Sequence, residues 1–147
     1  MAIDQTTFTG ILAGLATTLG TVSGLTFYDH EPREVTVPAA TILLEETRRS
    51  PVELGEVRHE SQLGTVDLEC AWTVRVWSQG DYTKASDARA LQVLGSVVGA
   101  IDSNETLGGT VLSASVASAT RDRVESPPDS GREFVTYVVT VTTSSLH

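Results

Sequence analysis

The chain has a single cysteine, Cys70, so it has no internal disulfide framework and no cysteine-rich metal cluster. No run approaches the ~20 apolar residues of a membrane-spanning helix. The N-terminus lacks a basic segment and its apolar residues are broken by Thr and Gly, so no secretory signal is expected there. A soluble protein made in a reducing cytoplasm is the expectation. Positive charge is also scarce. Ten Lys and Arg face nineteen Asp and Glu, for a formal net charge of −9. The basic residues are dispersed, and only Arg48-Arg49 and Arg121/Arg123 come close together. That excludes a clamp on duplex DNA, which needs clustered cations to displace counterions. An acidic surface suits solubility, or a passage through which DNA slides without sticking.

Catalytic signatures are missing as well. There is no GxSxG elbow to support Ser78, Ser86 or Ser96 as a nucleophile. The glycines of "GTVSG" and "LGGTV" come without a Walker lysine or a GxGxxG. His30 lies between Asp29 and Glu31, but neighbours on a strand point to opposite faces and do not converge on a metal. His59 sits in a charged segment and His147 is the last residue; neither has HExxH or HxH context. Asp67 and Glu69 would share a strand face about 7 Å apart. A wet face beside Arg75 accounts for them better than an acid–base pair. No enzyme, cofactor or metal centre is expected.

What is present is periodicity. Phe8, Ile11, Leu12, Leu15 and Leu19 recur at helical spacing after Asp4 or Thr6, either of which can cap a helix. Gly10, Gly14 and the threonines weaken that helix intrinsically, so packing must hold it. A short strand is expected in Leu25–Pro32, and a second from Pro38 to about Glu45. Glu46–Gly64 then turns polar, either as a mobile loop or as a hairpin extension projecting from the body. In "TVDLECAWTVRVW", Thr65–Trp77, residues Val66 through Val76 alternate with Asp67 through Trp77. A period of two over that length predicts one covered and one wet sheet face. Cys70 falls in the covered set and Trp77 in the wet one, either as a candidate interface anchor or as a rim position covered by the next helix. Asp81 can cap a second helix over about Tyr82–Ile101, with Ala88, Leu91, Leu94, Val98 and Ile101 on its apolar face and Val97 beside them. Asp87, Arg89 and Gln92 would point away. In "IDSNETLGGTVL", Asn104 is suited to left-handed backbone, Leu107 to folding back on the helix end, and Gly108-Gly109 to entering a strand. That strand, Thr110–Thr120, would alternate Leu112, Ala114 and Val116 with serines. A polar loop, Arg121–Arg132, could form a second protrusion. Glu133–Ser145 would close the sheet with Val135, Tyr137, Val139 and Val141 inward.

At 147 residues this is one domain. Two one-sided helices and strands with one apolar face imply an α+β fold: an antiparallel or mixed sheet of four to five strands with both helices on one face. The other face is left mostly Thr, Ser, Asp, Glu and Arg.

This layout resembles the tail terminator, or tail-completion, proteins of long-tailed, siphovirus-type bacteriophages. The likeness rests on the opening helix before "GLTFYDHEP", the Pro-opened "PAATILLEE", the strand-into-helix run "VDLECAWTVRVWSQGDYTKASDARALQVL", the "SNETLGGTV" helix-to-strand link and the closing "EFVTYVVTVTT". It spans nearly the whole chain in order and texture, with no unique signature residue. The resemblance implies a homo-hexameric ring that caps the tail tube, ends its polymerisation and gives the head or neck a docking face. Its implied partners are itself, the major tail (tube) protein and a neck or head-completion protein, with no membrane. DNA would cross the lumen without specific binding. The virion, at the head-proximal end of the tail, is the implied location after assembly in the host cytoplasm. Six copies would carry roughly −54, six times the charge of one. The two polar segments then become candidate contacts: Arg48, Arg49, Glu53, Glu56, Arg58 and Glu60 in one, Arg121 and Arg123 in the other, with Trp77 as the anchor. Mixed charges of this kind set register and partner choice more than affinity. A head–tail connector or a tail-tube subunit is the nearest alternative, and a small-molecule-binding α/β domain a remote one.

Overall fold

The computed structural model describes residues 3–29, 35–51, 66–80, 84–121 and 133–147. The elements run α1 (Gln5–Leu19), β1 (Thr26–Tyr28), β2 (Ala39–Pro51), β3 (Val66–Gly80), α2 (Lys84–Asp102), β4 (Ser113–Arg121) and β5 (Glu133–Leu146). The strands form one sheet in the order β1-β2-β3-β5-β4. β1 pairs with β2 in parallel and all other pairs are antiparallel. The fold is therefore α+β with a five-stranded mixed sheet.

Asp4 starts α1 with a capping box. Its carboxylate accepts from the Thr7 amide, and the Thr7 hydroxyl accepts from the Asp4 amide, each at 3.3 Å. Such a cap contributes about 1 kcal/mol. Ile11, Leu15 and Leu19 are buried and Phe8 and Leu12 partly so, which is the stripe read from the sequence. From the sheet the same core receives Ala40 and Ile42 of β2, Leu68, Cys70, Trp72, Val74 and Val76 of β3, and Val139 and Val141 of β5. All of these lie on one side of the pleat, so both helices cover one face.

Helix α2 sits with a different rotation from the expected one. Ser86, Ala90, Val97 and Ile101 are buried, with Val93 and Leu94 packed against the core. Ala88 is exposed and Leu91 is 58% exposed. The apolar residues of this helix spread over more than half a turn, so spacing alone did not choose between adjacent faces. Asp81, the expected cap, lies outside the described residues.

The sheet carries two bulges. Glu45 is extra in β2 and Ala117 is extra in β4. Both flank the same cross-sheet row, Leu44–Trp72–Val141–Val116. A bulge flips the facing of every later residue. Past Glu45, residues 46–50 continue as strand opposite Asp67–Ala71. Residues 46–51 are thus the base of a hairpin extension, while 52–64 lie outside the described residues. Leu112 does not join the inward set of β4; it precedes the strand and is 59% exposed.

The stretch between α2 and β4 is a clasp. Asn104 is not in the left-handed region; Leu107 is, at φ 49°, followed by Gly108 and Gly109 at 73° and 93°. Asn104 works through its side chain. Its amide nitrogen donates to Thr18 Oγ1 of α1 at 2.9 Å, and its carbonyl oxygen accepts from the Gly108 amide at 3.2 Å. Leu107 turns back and is 2% exposed in the core. Gly14 of α1 lies against the same turn: a Cβ there would meet Thr110 Oγ1 at 2.8 Å and Leu107 Cβ at 3.1 Å.

Three substitutions test this packing. Gly14→Ala gains helix propensity but drives a methyl into Leu107, and it should destabilise by about 1–3 kcal/mol in urea unfolding. Gly10→Ala, with nothing within 4 Å of the new methyl, should be neutral or stabilising. Thr143→Val should cost about 1–3 kcal/mol. It strips the acceptor from the buried Trp72 indole N–H, which donates to Thr143 Oγ1 at 3.0 Å.

Candidate interaction surface

The uncovered face is built by pleat alternation. β4 supplies Ser113, Ser115, Ser118 and Thr120, and β5 supplies Val138, Thr140, Thr142 and Ser144 beside them. β3 adds Asp67, Glu69, Ala71, Thr73 and Arg75, and β2 adds Leu43, Glu46, Arg48 and Ser50. The result is a hydroxyl-rich field with mixed charge toward the β2–β3 end. Ser144 Oγ donates to the Asp67 carboxylate at 2.7 Å. Arg48 stands opposite Glu69 in register and lies 3.6 Å from Glu46, both side chains well exposed. A shallow depression of about 180 Å³ is lined there by Glu46, Arg48, Glu69, Cys70, Ala71 and Thr142. These exposed ions are screened by water and contribute little stability; they make a pattern.

The two bulges decide where the basic residues go. Were Glu45 paired in a regular pleat, the alternation that buries Ala40 and Ile42 would send Arg48 to the helix side. With the bulge, Arg48 joins the open face and Arg49 turns to the helix side, opposite Leu68. Were Ala117 paired in a regular pleat, Arg121 would sit on the open face. With the bulge, Arg121 stands opposite Tyr137 on the helix side and its guanidinium meets Asp87 of α2 at 3.2 Å. Asp87 is accordingly half-buried rather than pointing away.

Trp77 is corrected by the structure. It occupies the face opposite the helices, as alternation requires, but it is 4% exposed. Tyr28, Val35, Val37 and Ala39 pack on it. The Thr36 amide donates to Tyr28 Oη at 2.9 Å, which fixes that cover. Trp77 is therefore a core residue of this subunit with no free surface to offer. The "EVTVP" alternation of Val35 and Val37 was the sequence signal for its cover. Glu53, Glu56, Arg58, Glu60 and Arg123 lie outside the described residues, as do His30 and His59. Of the expected contacts, Arg48 and Arg49 thus sit at the hairpin base and Arg121 at the opposite sheet edge; they are not brought together.

A further groove of about 660 Å³, not anticipated from the sequence, runs between the end of α1 and the last turns of α2. Thr18, Thr21, Gln92, Ser96, Gly99 and Ser103 line it, and among the described residues no charged side chain does. Among the described residues no three His, Cys, Asp or Glu gather as metal ligands. No helix of the described residues is long and apolar enough to cross a membrane. Ser145 Oγ and His147 Nε2 are 2.8 Å apart, yet Asp67 is bound to Ser144 on the other face, so the three do not form a relay.

Cys70 is 1% exposed, and burial raises its thiol pKa while a hydrogen bond with Thr143 partly opposes this. It should resist aromatic disulfide reagents at pH 8 in the native protein and react fully in urea. Rapid native reaction would mean that the β3–β5 core opens readily. Compared with known proteins, the chain matches no protein-family model and no curated protein.

Proposed function

We propose that this chain is a structural subunit of a phage tail terminator. It assembles into a ring on the head-proximal end of the tail tube, stops tube growth and offers the far side of the ring to the neck. The observation that supports this reading most directly is the one-sided sheet. Helices dry one face, whereas the other is a broad Ser/Thr field with charged residues at one end. Every β2 side chain from Leu43 to Ser50 is exposed, so the hairpin base leaves the helix layer and is free to meet other subunits. Facing a lumen, the hydroxyl field presents DNA with no concentrated positive charge, and the net charge of −9 keeps duplex from adhering.

The reading is tested by adding purified protein to polymerising tail-tube subunits and imaging by electron microscopy. Tubes should stop at shorter lengths and end in a capping ring. Indefinite tubes containing this chain would identify a tube subunit instead, and unaffected tubes would remove the proposal.

A further inference from the structure

The sheet has two open edges in complementary states. On one side β1 covers β2 only at Ala39–Thr41, so β2 from Ile42 onward has no strand beyond it among the described residues. On the other side β4 has no strand beyond its outer edge among the described residues. Open edges of this kind present rows of backbone donors and acceptors to another strand.

Helix α2 overhangs the β4 edge. One of its flanks, with Gln92, Ser96, Gly99 and Ser103, faces α1 across the groove. Its opposite flank carries Asp87, Leu91, Leu94 and Val98, and Asp87 touches Arg121 at the end of β4. Leu91 is 58% exposed, and Leu94 and Val98 are half-buried. An apolar ledge therefore lies above an unpaired strand whose own side chains are small: Ala114, Ser115, Val116, Ala117, Ser118 and Ala119. A strand added there would have its helix-side residues roofed by that ledge.

The β2 edge needs such a roof. Leu44 points to the helix side, opposite Trp72, but is 39% exposed. It stands in the same cross-sheet row as Val116, and both edges carry their bulge beside that row. Two strands that bend at the same height can pair without a shift over Ser113–Ala119, the part of β4 level with Ile42 and beyond; Thr120 and Arg121 fall level with Thr41 and Ala40, which β1 already covers. β2 and β4 also run in opposite directions within the sheet, so a neighbour related by rotation about an axis along the strands would pair with β4 in the antiparallel sense of the rest of the sheet.

We infer that the β4 edge and the Leu91–Leu94–Val98 ledge receive β2, residues Ile42–Ser50, of a second copy of this chain, with Leu44 seated under Leu91. The contact is heterologous, so repetition gives a closed ring or an open helix. The inference rests on the ring reading in taking the partner to be another copy.

Single-cysteine capture tests it. Leu44→Cys and Val116→Cys proteins, each in a Cys70→Ala background, are mixed at high concentration under mild oxidation. A disulfide dimer should form in the mixture and not from either protein alone, and a chain carrying both cysteines should give a ladder of oligomers. Leu91→Asp, on an exposed flank, should weaken self-association by about tenfold or more in sedimentation while leaving the urea midpoint unchanged. Absence of the cross-link in the mixture overturns the inference. If rings nonetheless form and cap tubes, the ring reading stands and only this contact fails. Cross-linking of Val116→Cys to a tube subunit, and not to Leu44→Cys, overturns the choice of partner.

Discussion

The sheet depends on the row that runs Leu44–Trp72–Val141–Val116 across it. Trp72 is the largest fully buried side chain, and its indole N–H has one partner within reach, Thr143 Oγ1. An indole buried without an acceptor loses more than a normal hydrogen bond returns. The residue at that position on β5 therefore has to be a small hydroxyl on the helix side, and the register of β3 against β5 is pinned. A slip by one residue would bring Thr142 or Ser144 opposite Cys70, residues that face the other side of the sheet. Everything outside the two central strands is adjusted to that fixed register.

The adjustment is made by the bulges. Both outer strands enter the row with their apolar residue facing the helices, then insert one residue and reverse facing. Had β2 kept its phase, Arg48 would have turned to the helix side and Arg49 to the open face. Instead Arg48 meets the carboxylates of the open face, and Arg121 turns from that face toward Asp87. One inserted residue in each strand sorts charge between the faces, and both inserted residues, Glu45 and Ala117, are exposed. The same bends shield long flat edges from indiscriminate pairing.

Much of this was legible in the sequence. The element order, the α1 stripe, the Asp4 cap, the alternation of β3 and the inward set of β5 follow from periodicity and capping chemistry, because each depends on residues close in the chain. What was not legible depends on distant neighbours. Trp77 reads as wet by alternation, and only the folding of Tyr28, Val35 and Val37 across the sheet makes it dry. The face of α2 reads correctly as apolar but wrongly in rotation, since Ala88 and Leu91 are exposed while Ser86 and Ala90 are buried. Asn104 reads as a backbone device but acts as a side-chain clasp on Thr18, 86 positions away in the chain. The bulges leave no mark in composition at all; Glu45 and Ala117 are ordinary strand-flanking residues. Of the candidate contacts, the basic residues were identifiable by type, but the faces they occupy were set by those bulges.

The distribution of apolar surface carries the last step. A monomer tolerates scattered exposed leucines. Here, though, Leu44 and Leu91 lie on the helix side at opposite edges of one sheet, each beside a run of backbone with no strand partner among the described residues. Burying either one within the subunit would need another helix or strand that the described chain does not have. An added strand of the same kind covers both at once and satisfies both edges. It also leaves the Ser/Thr face continuous from copy to copy, because extending the sheet in register preserves its facing. The open face along β4 and β5 is mostly Ser and Thr, with Val138 and Leu146 as apolar exceptions, while the helix-side leucines Leu44 and Leu91 stand at the two edges; a sheet continued into a neighbour would require that division of surface.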